Sequence, residues 1–168
     1  MIAATALLSA VTIERICELW LARRNTKSLL EHGAYEAASK HYCLIVALHT
    51  LWLGGLWILA WNRQIDPAWL LIFAALQALR IWVLATLGRR WTTRIIVVPG
   101  SSLVRRGPYR YVSHPNYFVV VGEIAVLPLC FGLGRYALIF SLLNAAVLAF
   151  RIREENSALR DLRNDSKR

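Results

Sequence analysis

The chain has 168 residues, of which 57% are hydrophobic and 18% charged, and its mean hydropathy is +0.44. Soluble domains have about 45–50% apolar and about 25% charged residues, so this composition argues against a soluble protein and for a membrane protein. The net charge of +10 does not indicate nucleic-acid binding, because a membrane topology explains where the positive side chains lie. No linker or low-complexity stretch divides the chain, which predicts one domain over residues 1–168.

Five apolar segments follow one another along the chain. A helix needs about 20 mostly apolar residues to cross the hydrocarbon core, and a partnered helix can be shorter. The predicted spans are 2–22, 42–61, 68–88, 117–133 and 136–151. The last two are joined by Gly-Leu-Gly-Arg, which predicts a tight antiparallel hairpin. The expected fold class is an all-α integral membrane protein with about five transmembrane helices, a cytoplasmic cofactor-binding loop and a C-terminal tail.

The basic residues lie almost entirely in connections on one side of these helices. The connection 23–41, the loop 89–116 and the tail from residue 151 hold sixteen lysines and arginines, against Arg63 and Arg135 on the other side. Because cytoplasmic loops carry the excess of lysine and arginine, the N-terminus is expected outside and the C-terminus in the cytoplasm. The basic loops are also expected to meet anionic lipid headgroups.

Ionisable side chains inside the predicted spans need partners, since a charge in the bilayer is costly. Glu14 and Glu18 lie one turn apart on the first helix beside Arg15, which favours an interfacial ion pair or a helix-packing anchor. Gln77 and Arg80 share a face of the third helix, where both a cavity lining and pairing with glutamates stay open. The glutamates available for pairing are Glu14, Glu18 and Glu123.

Other polar and sulfur-bearing residues of the spans favour structural interpretations. His49 is favoured as a hydrogen-bonded structural histidine, and Asn144 as a helix–helix hydrogen bond. The cysteines lie in apolar segments without metal-ligand spacing, which predicts three buried thiols and no metal site. They are Cys17, Cys43 and Cys130.

The loop between the third and fourth helices contains the most distinctive stretch. Ile95 to Val98, followed by Pro-Gly, predicts a short strand closed by a turn. Residues 107–117 read Gly-Pro-Tyr-Arg-Tyr-Val-Ser-His-Pro-Asn-Tyr, a polar sequence at the edge of the bilayer. Pro115 suits the first turn of a helix, whose free N–H groups attract a carboxylate. His114 and Tyr117 are expected to line the same corner, although a basic lid on the membrane surface is the alternative for the loop.

The end of the fifth helix carries a second polar pair. Arg151 and Glu155 are four residues apart and therefore point the same way. The arginine suits an acidic substrate and the glutamate an ammonium or a ribose. A surface ion pair explains these two residues equally well.

These two stretches resemble the isoprenylcysteine carboxyl methyltransferase family. The resemblance is carried by residues 107–117 and by Arg-Ile-Arg-Glu-Glu-Asn-Ser-Ala-Leu at 151–159. Leu-Gly-Arg-Arg-Trp-Thr at 87–92 and Leu-Val at 103–104 fit it as well, so that it covers roughly residues 75–159. The His-Pro-x-Tyr piece alone is shared with phospholipid methyltransferases and sterol reductases.

The resemblance implies a helical membrane enzyme that binds S-adenosylmethionine at the cytoplasmic side, in a motif region of 89–117 and 151–159. Arg151 would meet the acidic group of the substrate, and Arg151 and Glu155 are the predicted catalytic residues. Arg94, Ser101 and Ser102 are weaker candidates for touching the cofactor. Carried over by motif, the residues that enclose or contact the cofactor are Leu103, Val104, Tyr109, His114, Pro115, Asn116, Tyr117 and Glu155.

The N-terminal half adds a finer resemblance to the bacterial branch that O-methylates alkylpyrones and related phenolic lipids. Ser113 replaces the arginine usual before His-Pro, and the tail beyond Leu159 is shorter than in the eukaryotic enzymes, which both weigh against a prenylcysteine substrate. The branch implies the bacterial inner membrane as the location. The stretches that carry the finer resemblance are Arg-Arg-Asn-x-Lys at 23–27, Gly-Ala-x-Glu at 33–36, His41-Tyr42 and His49-Thr50.

The predicted function is methyl transfer from S-adenosylmethionine to an enol, phenol or carboxylate oxygen of a lipid, an alkylpyrone or similar. S-adenosylhomocysteine is the product, and a protein C-terminal S-isoprenylcysteine carboxylate is the alternative acceptor. A carboxylate or an ionised enol needs no general base, whereas a phenol needs one, for which His49, His114 and Glu154 are candidates. His49 and Arg80 are also candidate substrate-binding residues.

Two other function classes compete with this interpretation. An NADPH-dependent sterol-type reductase needs a dinucleotide site, for which 168 residues with five spans leave little room. A non-catalytic scaffold or transporter would spread polar residues along a path across the membrane. The expected partners are therefore a lipidic small molecule from the bilayer and membrane lipids, without nucleic acid.

Overall fold

The computed structural model describes the backbone of residues 1–37, 42–100 and 104–165, with side chains as far as residue 153. The α-helices within these ranges are α1 Ile2–Glu31, α2 Tyr42–Ala60, α3 Pro67–Leu87, α4 Pro115–Cys130 and α5 Gly134–Asp165. The strands are β1 Tyr35–Ala37 and β2 Ile95–Val97, and two 3-10 helices cover Gly88–Arg90 and Gly107–Arg110. The predicted all-α membrane fold is confirmed.

One end of the helix bundle, here called the hairpin end, contains the short connections. The Asp66 side chain caps α3 by accepting hydrogen bonds from the backbone N–H groups of Ala68 and Trp69, at 2.8 and 3.4 Å. The backbone N–H of Asp66 donates to the carbonyl of Cys130 at 2.8 Å, which joins the α2–α3 connection to the end of α4. Thr5, near the start of α1, donates to the carbonyl of Trp61. The first residues of α1 therefore lie at this end.

The opposite end is here called the motif end. It brings together the starts of α2 and α4 and the C-terminal parts of α1 and α3. The buried Asn25 donates from Nδ2 to the carbonyls of Gly88 and Trp91, at 3.2 and 2.8 Å. Tyr42, the first residue of α2, makes a 3.1 Å hydrogen bond to the hydroxyl of Thr93. The loop after α3 is therefore fixed against both α1 and α2.

The bundle also contains a tightly packed apolar core. α3 packs along α4 so closely that a Cβ atom at Gly122 would lie 2.8 Å from the methyl carbons of Leu76. Tyr136 of α5 donates to the carbonyl of Trp52 at 2.8 Å and closes the α2–α5 contact at the hairpin end. The core side chains include Leu8, Trp52, Leu56, Phe73, Ile124 and Leu127.

Many large apolar side chains face outward, as expected of helices surrounded by lipid. Ile58, Leu71 and Leu138 are 75%, 73% and 61% exposed. In the part of the chain that the structure describes, the helices 42–60, 67–90 and 134–153 are long and apolar enough to cross a membrane. α4 is a shorter apolar helix, and α1 carries Glu14, Arg15 and Glu18 near its middle.

Two helices extend beyond the apolar segments that were predicted as membrane spans. α1 continues from residue 22 to Glu31, and α5 continues from residue 151 to Asp165. The more polar sequence beyond each apolar segment includes good helix formers such as Arg, Glu, Leu and Ala, so that the helix extends past the apolar segment. α4 covers 115–130, where 117–133 was predicted, because Pro115 already occupies its first turn.

The cysteine prediction is correct only for Cys130. Cys17 and Cys43 are exposed on the bundle surface. In a membrane protein an apolar segment can face lipid as well as protein, so that hydropathy alone does not predict burial.

The predicted strand at Ile95 is confirmed, and it has a partner that the sequence did not reveal. β2 pairs antiparallel with β1, in the register Tyr35 to Val97, Glu36 to Ile96 and Ala37 to Ile95. This two-stranded sheet ties the α1–α2 connection to the α3–α4 loop at the motif end. It also places Glu36 close to Arg94.

Candidate active site

The fourth helix begins inside the His-Pro stretch. His114 is its N-cap residue and makes no side-chain capping bond, and Pro115 takes the first helical turn. The rings of His114 and Tyr117 stack with their centroids 5.3 Å apart and their planes 19° from parallel. Asn116 lies between these two residues in the sequence. Its buried Oδ1 accepts no hydrogen bond from any residue that the structure describes. A buried acceptor of this kind is satisfied when a ligand donates to it.

Arg151 of α5 joins the start of α4 to the loop after α3. Its Nε donates to the hydroxyl of Tyr117 at 2.9 Å, and its Nη2 donates to the carbonyl of Thr93 at 2.7 Å. Its guanidinium carbon is 5.7 Å from the centroid of the Tyr117 ring. The structure therefore brings the histidine-containing stretch and the end of the last apolar helix into direct contact.

Both hydrogen-bond partners of Arg151 are uncharged groups. Among the residues whose side chains are described, no carboxylate lies within ion-pair distance of its guanidinium. The nitrogen Nη1 likewise makes no hydrogen bond to this part of the chain. A guanidinium held by neutral partners keeps its charge and a donor available for an anion.

A cavity of about 240 Å³ lies beside Arg151. One wall is apolar and belongs to α2 and α5, whose Leu44 and Phe150 are also exposed on the bundle surface. The other wall is polar and comes from the sheet and the two helix ends. The residues that line the cavity are Glu36, Tyr42, Leu44, Ile45, Arg94, Ile95, Ala146, Val147, Phe150 and Arg151. This arrangement suits a ligand with an acidic head and an apolar chain.

The polar wall is held together by a second arginine. Arg94 donates from Nη1 to the Glu36 carboxylate at 2.8 Å, and its guanidinium carbon lies 4.7 Å from the centroid of the Tyr42 ring. The cavity thus contains one arginine with a charged partner and one, Arg151, without a described charged partner. Arg94 lines the cavity, as Arg151 does.

His49 lies one turn deeper in α2 than Ile45, on the helix face that borders the cavity. Its Nδ1 forms a 2.8 Å hydrogen bond with the carbonyl of Ile45. It is partly buried and interacts electrostatically with Arg15, Glu123 and Arg151. The structural hydrogen bond favoured from the sequence is present, and its role toward a substrate stays a prediction.

A buried ion cluster occupies the middle of the bundle. Arg80 donates from Nε and Nη2 to the Glu18 carboxylate and from Nη1 to the Glu123 carboxylate. Arg15 lies 2.8 Å from the Glu18 carboxylate and 3.0 Å from that of Glu123, and Gln77 donates to Glu123 at 3.0 Å. Burial without such pairing would cost several kcal/mol per ion. Of the alternatives left open for Arg80, the structure shows pairing with Glu18 and Glu123, and its contact with substrate stays a prediction.

The remaining predicted residues are distributed around this site. Tyr109 lies in the 3-10 helix Gly107–Arg110, which packs against the end of α3 so tightly that a Cβ at Gly107 would be 2.5 Å from Oγ1 of Thr86. Val104 is partly exposed in the loop and Pro115 is buried. Outside the described residues or side chains are Ser101, Ser102, Leu103, Glu154 and Glu155.

Sequence reasoning did not assign roles to Thr93, Glu36 or Tyr42. Thr93 contributes a backbone carbonyl, for which side-chain identity gives no signal. Glu36 and Tyr42 belong to stretches of the finer resemblance, but only the pairing of β1 with β2 brings Glu36 to the cavity. Alternation in a three-residue strand is too short to predict such a pairing.

The fold and the site define a helical membrane protein with a polar ligand site at one end of its bundle, and comparison with known proteins narrows this class. The family model of the isoprenylcysteine carboxyl methyltransferase (ICMT) family matches residues 69–161. The uncharacterized protein YpbQ of Bacillus subtilis is 38% identical over 160 residues, which are 92% of this chain and 95% of the relative. An uncharacterized protein of Haemophilus influenzae is 30% identical over 158 residues, 88% of this chain and 90% of the relative. No solved structure matches the chain.

The chain belongs to the isoprenylcysteine carboxyl methyltransferase family. It is an integral membrane protein, and its family is one of membrane methyltransferases that use S-adenosylmethionine. The matched region, 69–161, contains the His-Pro stretch of α4 and the Arg151 end of α5. The residues that meet at the motif end therefore come from the part of the chain that defines the family.

Proposed function

We propose that the protein is a lipid O-methyltransferase that transfers the methyl group of S-adenosylmethionine to an acidic oxygen of a polyketide-derived alkylpyrone or a similar lipid. The observation that carries this proposal is the position of Arg151. Its guanidinium touches the family motif at Tyr117 and also lines a cavity whose opposite wall is apolar. An acidic head and a hydrocarbon chain are thus accommodated side by side.

The residues at the start of α4 fit the cofactor that the family uses. The buried Oδ1 of Asn116 can accept a hydrogen bond from an amino or hydroxyl group, and the stacked His114 and Tyr117 offer an aromatic surface. Bound S-adenosylmethionine supplies a methyl group made electrophilic by its sulfonium. In this proposal Leu103, Val104, Tyr109 and Pro115 enclose it, and Glu155 contacts it.

Arg151 is the proposed anchor of the acceptor. With Nε and Nη2 fixed by Tyr117 and Thr93, the guanidinium loses little conformational entropy when Nη1 donates to an acidic oxygen. Leu44, Val147 and Phe150 line the side where the hydrocarbon chain would lie. Holding the oxygen in line with the methyl group is worth up to about 7–11 kcal/mol in well-oriented intramolecular reactions.

The proposed orientation has the motif end in the cytoplasm of a bacterial inner membrane and the N-terminus outside. It is supported by the charge distribution of the sequence, because the two connections and the tail hold sixteen basic residues. Arg63 and Arg135 belong to the hairpin end. Such an asymmetry is typical of the cytoplasmic side.

The proposal is tested with purified protein in nanodiscs, radiolabelled S-adenosylmethionine and a panel of acceptors. The panel contains an alkylpyrone, an alkylresorcinol, a farnesylcysteine derivative and a fatty acid. We expect methyl transfer to the alkylpyrone in the wild type and a decrease of about 100-fold in Arg151→Ala, because truncating one partner of a buried charge contact costs about 2–5 kcal/mol.

Arg135→Ala is the matched control, since it removes an arginine at the other end of the same helix. It should retain wild-type transfer. Undiminished methylation in Arg151→Ala contradicts the proposed anchor. Transfer to the farnesylcysteine derivative alone replaces the alkylpyrone by the prenylcysteine carboxylate as acceptor.

A further inference from the structure

His49 is a partly buried histidine whose hydrogen bond to the helix backbone fixes the tautomer of its ring. Its Nδ1 is 2.8 Å from the carbonyl oxygen of Ile45. A carbonyl oxygen only accepts hydrogen bonds, so Nδ1 carries the proton. In the neutral ring the other nitrogen, Nε2, then holds a lone pair. The backbone of α2 thus selects the tautomer in which Nε2 can accept a proton.

His49 lies one helical turn beyond the cavity-lining Ile45, on the face of α2 that borders the proposed acceptor site. Tyr42, Ile45 and His49 follow one another at helical spacing on one face of α2, and the first two line the cavity beside Arg151. The imidazole interacts electrostatically with charged groups of three neighbouring helices, namely Arg15 of α1, Glu123 of α4 and Arg151 of α5. His49 therefore lies between the cavity and the buried ion cluster.

The charges around His49 suit a group that is neutral at rest and takes up a proton during turnover. Arg15 and Arg151 oppose a positive imidazolium before a ligand binds. An acidic acceptor at Arg151 offsets that repulsion. The negative charge of Glu123 also favours the protonated ring.

We propose that His49 is the general base that allows this site to methylate hydroxyl-bearing lipids, such as phenols and enols, in addition to carboxylates. This inference rests on the proposed function. The acceptor oxygen forms its bond to the methyl carbon while the carbon–sulfur bond of the sulfonium donor breaks and its electron pair stays on sulfur. The hydroxyl proton passes to Nε2 of His49. It leaves to water at the motif end before the next turnover.

The chemistry separates two kinds of acceptor. A carboxylic acid reaches the site already ionised, so it needs Arg151 but no base. A phenol arrives with its proton, and a positioned base then contributes about 10²–10⁴-fold to the rate. The acceptor pair for the test is para-dodecylbenzoic acid and para-dodecylphenol, which share the same chain and ring.

His49→Asn is the informative variant, because the asparagine amide can still donate to the Ile45 carbonyl while the basic nitrogen is removed. We expect kcat/KM for para-dodecylphenol to fall by about 10²–10⁴-fold, with kcat/KM for para-dodecylbenzoic acid unchanged. His32→Asn is the matched control. His32 makes the same kind of bond from Nδ1 to the carbonyl of Ser28, at 2.7 Å, on the exposed end of α1.

A second measurement uses no methyl donor. Ortho-nitro-para-dodecylphenol becomes yellow when it ionises, so binding to the wild type should shift its apparent ionisation to lower pH as the proton moves to His49. His49→Asn should abolish most of that shift, and His32→Asn should leave it unchanged. This spectroscopic change distinguishes proton transfer from a purely structural role.

Several results would contradict the role of His49 as the general base. Equal losses with the acid and the phenol, or an unchanged phenolate shift in His49→Asn, overturn it. A wild type that methylates the acid but not the phenol also overturns it and leaves the proposed function intact. If the wild type methylates neither compound, the phenolate shift alone decides whether His49 accepts the proton; the proposed function fails as well if the alkylpyrone is not methylated.

Discussion

Two arginines of this protein illustrate how the partners of a charged side chain indicate its role. Arg80, in the middle of the bundle, is 5% exposed and is held by the carboxylates of Glu18 and Glu123. Arg151, at the motif end, is held by a tyrosine hydroxyl and a backbone carbonyl. Both guanidinium groups are fixed by hydrogen bonds, but only Arg80 has its charge neutralised by residues that the structure describes.

The difference separates a structural charge from one available to a ligand. A neutralised arginine inside the bilayer region satisfies buried carboxylates and has nothing further to attract. An arginine fixed by neutral groups is pre-organised to bind a further anion. The comparison therefore supports Arg151 as the acceptor anchor, and the following changes test it in order of decreasing effect.

The largest effect is expected for stability, from Arg80→Ala. The substitution leaves Glu18 and Glu123 buried with less compensating charge, which costs about 3–5 kcal/mol of the free energy of unfolding. Arg151→Ala should lower the free energy of unfolding by less, because it removes two partly buried hydrogen bonds to neutral groups and leaves no buried charge without a partner. Denaturant unfolding of both variants in detergent micelles measures the contrast. A similar loss of stability in the two variants would remove the distinction between them.

The sequence was sufficient to predict the five helices and the convergence of the His-Pro stretch with Arg151 of α5. Hydropathy located the apolar segments because a span needs a long uninterrupted apolar run. It did not locate the helix ends, since α1 and α5 continue into polar residues that still favour helix. Exposure of Cys17 and Cys43 was missed because hydropathy does not separate lipid-facing from protein-facing positions.

The details of the site depended on contacts between residues distant in sequence. Arg80 could be expected to pair with a glutamate, but only the packing of α1, α3 and α4 shows that its direct hydrogen bonds go to Glu18 and Glu123, with Glu14 at 3.8 Å. The antiparallel pairing of β1 with β2 could not be predicted, because strands of three residues carry little pattern. Glu36 therefore reaches the cavity through tertiary structure.

A second test concerns Glu155, whose carboxylate would neutralise Arg151 if the two side chains were paired. Glu155 follows Arg151 by one helical turn and is proposed to contact the cofactor. Glu155→Gln should lower the affinity for S-adenosylhomocysteine by about 10- to 100-fold, the loss expected for a hydrogen bond to a charged group of about 1.5–3 kcal/mol. Isothermal titration measures it, with Arg135→Ala as the control. Unchanged cofactor affinity together with tighter acceptor binding would instead identify Glu155 as the counterion of Arg151.

A third test removes one of the neutral partners of Arg151. Tyr117→Phe deletes the hydroxyl that accepts from Nε and keeps the ring that stacks on His114. Losing one hydrogen bond of about 0.5–1.5 kcal/mol should reduce kcat/KM for the lipid acceptor by about 3- to 10-fold. Tyr136→Phe, at the hairpin end, removes a hydroxyl bonded to a backbone carbonyl and serves as the control. Equal effects of the two variants on transfer would contradict a positioning role for Tyr117.

The smallest effect is expected from Glu36→Gln, a substitution that removes the charged partner of Arg94. Arg94 would then resemble Arg151, which has no charged partner among the described side chains. Arg94 pairs with Glu36, and its side chain is 43% exposed, so the pair contributes about 0–1 kcal/mol to stability. Glu36→Gln removes the charge of the partner and leaves Arg94 at the cavity wall without a carboxylate partner among the described side chains. The affinity for an anionic acceptor should then rise by about fivefold or less, and the gain should shrink as salt concentration rises. Equilibrium binding of para-dodecylbenzoic acid at two ionic strengths measures this, and weaker binding in Glu36→Gln would show that the charge of Arg94 is not directed at the acceptor.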